Sequence, residues 1–177
     1  MRFLRIFPSF GENIFSHQKF LIMPFSTSVK RFGLLSGLII LLAFGLTWAL
    51  GGTRLDWNVS ELIGYLSIFL ALSLVFLGMR HYREHEAGGR LTFKQGLRVG
   101  LLITLFPSVA IFLYTVVFFL VAGEEFVTYA FEQMPEPEQA YWRENRHLLM
   151  NPWFQGALMF VNVLVIGVVV SVVSAAV

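Results

Sequence analysis

The chain has 177 residues, of which 56% are hydrophobic and 14% charged, with 19 Phe and no Cys, and its mean hydropathy is +0.71. Soluble domains carry about a quarter charged residues, so a soluble enzyme is excluded, and the missing cysteines exclude disulfides, thiolate metal sites and a cysteine nucleophile. The net charge is only +2 and the basic residues flank apolar runs instead of forming a stripe, so the expected surroundings are a lipid bilayer and nucleic acid is not an expected partner.

In chain order, residues 1–28 read as a basic extension. Arg5 and Pro8 interrupt its apolar residues, so no signal-peptide core forms, and Met23 is an alternative start just before the basic flank Lys30 and Arg31. Residues 29–177 then read as one membrane domain. No acidic or basic residue lies between Arg31 and Arg54, between Glu61 and Arg80, between Arg98 and Glu124, or after His147. At about 1.5 Å per residue each run approaches the roughly 30 Å of a bilayer core. The expected fold is therefore all-α with four transmembrane helices, at residues 33–50, 62–79, 97–122 and 154–176. Strands are not expected, because open sheet edges stay unsatisfied in lipid.

Lys and Arg flanks are retained on the cytoplasmic side. Arg2, Arg5, Lys19, Lys30, Arg31, Arg80, Arg83, Arg90, Lys94 and Arg98 fall on one side, against Arg54, Arg143 and Arg146 on the other. Both termini are thus expected in the cytoplasm. Trp48, Trp57, Trp142 and Trp153 fall near the outer ends, where indole rings favour the headgroup level.

Small residues recur every fourth position: Gly33 and Gly37 in helix one, Gly96, Gly100, Thr104 and Ser108 in helix three, and Gly167, Ser171 and Ala175 in helix four. That spacing keeps each set on one face, where backbones can approach closely. Helix three, with the longest stripe, is the expected central contact helix. Asn162 is expected to bond across to another helix, and Pro107 to kink helix three by freeing a carbonyl. Gly33, Leu34, Gly37, Leu38, Ile40 and Leu42 match Gly96, Leu97, Gly100, Leu101, Ile103 and Leu105 at an offset of 63. The alternatives are two parallel repeat hairpins and coincidence in Leu-rich sequence.

His81-Tyr-Arg-Glu84-His85 fits the H-x-x-E-H pattern of inverted zinc proteases, yet a third ligand is missing from its sequence context, so no metal or other cofactor is expected. The acidic segment 124–150 reads as an extracytoplasmic connection whose second half starts a helix at Pro137 and Glu138.

The stretch Val29 to Gly37 (VKRFGLLSG), Gly64 to Ile68 (GYLSI), Phe76 to Gly78, Tyr82 to Glu84, the turn Gly88 to Thr104 (GGRLTFKQGLRVGLLIT) and Asn151 to Phe154 (NPWF) together resemble the bacterial integral-membrane family called domain of unknown function 4199. The resemblance implies a four-helix inner-membrane protein with no assigned activity. Two departures stand out: segment 124–150 looks short for the family, and a basic tail after helix four is absent, as a trimmed C-terminus would leave it. The expected role is a small helical scaffold or accessory subunit, not an enzyme, with a second copy or another membrane protein as partner. The alternatives are a component of an oligomeric transporter or channel and, more remotely, a membrane metalloenzyme.

Overall fold

The computed structural model describes residues 26–51, 57–133 and 135–176. The expected extension at residues 1–28 and the alternative start Met23 lie almost wholly outside the described residues. Among those described there is no strand, and the helices are α1 (Thr27–Leu50), α2 (Trp57–His85), α3 (Phe93–Gln133), α4 (Glu136–Glu144), α5 (Arg146–Leu149) and α6 (Pro152–Ala176). Four of them, α1, α2, α3 and α6, are long and apolar enough to cross a membrane.

Local chemistry sets the helix starts. Ser26 caps α1 by accepting the Val29 N–H on its hydroxyl at 3.2 Å. Thr92 and Gln95 form a reciprocal capping box before α3: the Gln95 N–H donates to Thr92 Oγ1 and the Thr92 N–H donates to Gln95 Oε1, at 3.3 and 3.1 Å. Asn151 Oδ1 accepts from the N–H groups of Trp153 and Phe154, and Pro152, with no N–H to satisfy, is the first residue of α6. Between α2 and α3 the chain turns at Gly88 and Gly89, whose φ values of 66° and 84° favour residues without a Cβ.

The helices overrun the apolar runs because charged and aromatic residues outside a bilayer core still continue a helix. The greatest difference is in α3, expected at residues 97–122 and found over 41 residues, about 60 Å at 1.5 Å per residue. It passes unbroken through Pro107 and carries Glu124, Glu125 and Glu132 on helix instead of loop. The chain returns through α4 and α5.

α3 is packed against α1, α2 and α6, most extensively against α6; α2 also packs on α1 and on α6. Two apolar clusters fill the interior. One, towards the end where α1 begins (the basic end), joins Val29, Leu72, Val75, Met79, Val99 and Ile103. The other joins Ile40, Ala71, Ala110, Ile111 and Val163. Large apolar side chains such as Leu42, Phe69, Leu120 and Val169 point outward and stay exposed, as helices facing lipid tails require. At the opposite, acidic end an aromatic cluster ties α1 to α3: Phe44 lies 4.9 Å from Tyr114, and Trp48 meets Phe118 edge-on at 5.7 Å.

Thr92→Ala removes one half of the capping box and is expected to cost about 1 kcal/mol, read as a lowered thermal unfolding midpoint in detergent. An unchanged midpoint would show that the turn before α3 does not depend on its cap.

Candidate functional site

The small-residue stripes of α3 and α6 meet in one antiparallel seam. A Cβ added to Gly96 would lie 3.1 Å from Ala175 Cβ, one on Gly100 would lie 2.5 Å from Ser171 Oγ, and one on Gly167 would lie 2.0 Å from Thr104 Cγ2. Each step of four residues up α3 is matched by a step of four down α6. Gly156 continues the line against Val116 and Phe112. At these three steps one helix offers a hydroxyl or methyl and the other a glycine, which lets the backbones close to contact. Thr104, Ser108 and Ser171 are fully buried. The hydroxyls of Thr104 and Ser108 donate to the carbonyls of Gly100 and Thr104, four residues back. Ser171 Oγ is different: among the described residues it is buried without a hydrogen-bond partner.

Gly33 and Gly37 face α3 from the other side. Gly33 lies under the Phe106 ring, and a Cβ on Gly37 would sit 3.5 Å from the Phe106 carbonyl oxygen and 3.7 Å from Ala110 Cβ. The matched residues at the offset of 63 therefore make non-equivalent contacts: in α1 the glycines look towards the next hairpin, in α3 towards the hairpin's own second helix. Gly78, not expected from the sequence to be a packing residue, completes the interior where α1, α2 and α3 meet, with Ile103 and Phe32 at 2.5 and 3.0 Å from an added Cβ. Its signal was weak because no second small residue stands four positions away in α2.

Asn162 requires a correction. It lies on the exposed side of α6, next to buried Val163, and makes no bond across to another described helix. The physical reason is helical geometry: a residue advances 100° per position, and with Gly156, Val163, Gly167 and Ser171 buried against α3 Asn162 is turned away from the seam.

At the basic end a polar cluster joins α1 to the end of α2. Ser28, fully buried, donates its N–H at 2.7 Å and its hydroxyl to Glu86 Oε1. With that proton committed, the hydroxyl oxygen accepts from His81 Nδ1–H at 2.8 Å. The Glu86 carboxylate thus occupies the positive end of the α1 dipole, where an anion is favoured. His81 and His85 stack at 4.2 Å, and Glu84 is turned away to Arg80 at 2.9 Å. Their geometry is that of a clasp: one imidazole nitrogen is taken by Ser28, and the motif's carboxylate is taken by an arginine. No group of three His, Cys, Asp or Glu among the described residues is placed to hold a metal. Sequence reading missed Ser28 and Glu86 because the pair is 58 residues apart and neither belongs to a spaced motif.

At the acidic end an open hollow of about 600 Å³ lies beside α3, bordered by Val121, Glu124, Glu125, Thr128, Tyr129 and Glu132. Thr128 donates its hydroxyl back to the Glu124 carbonyl, so this helix face is ordered by its own backbone.

Comparison with known proteins finds that residues 31–177 match the family described as a protein of unknown function, DUF4199. No curated protein and no solved structure matches the chain.

Gly100→Leu is expected to overpack the seam and to cost about 1 to 3 kcal/mol, whereas Leu105→Met, at a position 43% exposed, should leave the unfolding midpoint in detergent unchanged. Gly45 meets nothing within 4 Å of an added Cβ, so Gly45→Ala should raise stability by about 0.5 to 1 kcal/mol through helix propensity. Ser171→Ala removes an unsatisfied hydroxyl and should be neutral or stabilising. Loss of the carboxylate in Glu86→Ala should cost about 1 kcal/mol in the same thermal assay; no loss would leave the clasp without an energetic role.

Proposed function

The chain belongs to the DUF4199 family, and from that premise and the geometry above we propose that it is a small helical scaffold or accessory subunit, without catalytic activity, in the inner membrane of a bacterium. Both termini face the cytoplasm in this reading, supported by the excess of Lys and Arg at the basic end and by the four Trp near the acidic end. Its partners are the lipid bilayer and either another membrane protein or a second copy.

One observation carries the reading: the interior is closed to backbone contact along the seam, and apart from that of Ser171 its seam hydroxyls are turned back onto their own helices. Besides Thr104 and Ser108, Ser36 donates to the Gly33 carbonyl and Ser67 to that of Gly64. Transport of ions or protons uses intramembrane carboxylates, imidazoles or cations, and none stands between Leu62 and Met79 or between Val99 and Gly123. A bundle whose described spans are packed this way, with several exposed apolar faces, is suited to holding other proteins in place.

Reconstituted into liposomes, the protein is expected to pass protons, potassium and small osmolytes no faster than protein-free vesicles; flux above that background would contradict the scaffold reading. Because the chain has no cysteine, single-cysteine labelling reports topology without interference. Thr53→Cys and Glu138→Cys should react with an impermeant thiol reagent from outside and Arg90→Cys should not; labelling of the Arg90→Cys variant from outside would overturn the orientation.

A further inference from the structure

We propose that the chain forms a parallel homodimer through α6, with the carboxamides of two Asn162 residues hydrogen-bonded to each other in the membrane interior. The inference depends on α6 spanning the bilayer and not on the scaffold role.

On the side of α6 opposite its seam with α3, Leu158, Asn162, Val165, Val169, Val172 and Ala176 follow one another at steps of four, three, four, three and four residues. All are exposed, Leu158 at 52%, Val165 at 56% and Val169 at 57%. This is the heptad spacing of a coiled-coil seam, whereas the α3 side of the same helix keeps the strict step of four in Val163, Gly167 and Ser171. Two different periods on two faces of one helix indicate two different packing partners.

Asn162 supplies the chemistry. It stands ten residues into α6, about 15 Å from the helix start at 1.5 Å per residue and so near the middle of a roughly 30 Å hydrocarbon core. Its carboxamide makes no bond to any other described residue, and an unpaired amide in hydrocarbon is costly. A lone Asn in a heptad seam is the device that fixes register and oligomeric state in coiled coils.

A second copy is the occupant that this residue selects. Two copies inserted with the same orientation are related by a twofold axis along the membrane normal, so each residue on the axis faces itself. An Asn side chain is complementary to its own image: each N–H donates to the other's Oδ1. The flanking valines are rigid at χ1 and lose little freedom on packing.

The test uses the full chain in lipid bilayers. Single-cysteine variants Val165→Cys and Val169→Cys should give disulfide-linked dimers under mild oxidation, while Ile166→Cys and Val168→Cys, exposed but off the seam, should give few. Asn162→Val should weaken dimerisation about tenfold, and Asn162→Gln should retain most of it. Since Asn162 is exposed and makes no hydrogen bond in the fold, both should keep the wild-type helix content and monomer unfolding midpoint. Single-molecule photobleaching that shows one copy per particle at every protein-to-lipid ratio would overturn the proposal. So would crosslinking without the heptad pattern, an Asn162→Val dimer as tight as the wild type, a trimer, or a different protein seated on Asn162 with this chain present once.

Discussion

Between two helices in a bilayer there is no water to expel, so they stay together only through dispersion contact and hydrogen bonds, and contact requires that the backbones come close. In this chain the requirement is met at the α3–α6 seam, where Gly100 lies under Ser171 and Gly167 lies under Thr104. The rest of the bundle follows from that line of contact. With one face of α3 closed against α6, its remaining faces carry Ile103 and Phe106 towards α2 and α1, where Gly78 and Gly33 make room for them. The other three spans therefore gather around one long helix.

A second constraint acts on polar groups, which must find partners where water is absent. Most do so locally: the interior hydroxyls bond to carbonyls three or four residues back, and the helix starts are closed by Ser26, by the Thr92–Gln95 box and by Asn151. Two pairings are long-range: the Tyr114 hydroxyl of α3 donates to the Phe44 carbonyl of α1 at 3.4 Å, and the Glu86 carboxylate at the start of α1 ties that helix to the end of α2. Ser171 and Asn162 depart from the pattern, the first inside the seam and the second on the outer face. The hydroxyl of Ser171 lies against Gly100 without a hydrogen-bond partner among the described residues, while Asn162 lies on the exposed side of α6 and bonds to no other described residue.

The four spans were legible in the sequence because absent charge and length are enough to define a helix in lipid. Their ends were less so. Apolar runs mark the bilayer core, not the helix, and α3 continues to Gln133 because Glu124, Glu125, Thr128 and Glu132 are compatible with helix in water. The spacing Thr92 to Gln95 did carry the true start of α3, as a capping box four residues ahead of the apolar run. The stripes of Gly96, Gly100, Thr104 and Ser108 and of Gly167 and Ser171 could be read as faces, but which face meets which depends on tertiary register. Asn162 illustrates the limit: residue chemistry says that a carboxamide in lipid needs a partner, and only the helix's rotation about its axis says in which direction that partner lies. The Ser28–Glu86 clasp could not be read at all, since neither residue is unusual on its own and only the fold brings them together.

The central claim, that Thr104 and Gly167 meet across the α3–α6 seam and hold the two helices in register, is tested most directly by a double-mutant cycle in thermal unfolding. Gly167→Ala places a methyl against Thr104 Cγ2, and Thr104→Ala removes that atom together with the hydroxyl. The account predicts that the double variant is more stable than the sum of the two single effects requires, by about 1 kcal/mol or more, because trimming one side relieves crowding from the other. Strict additivity of the two substitutions would mean that these residues do not touch, and the seam described here would be wrong.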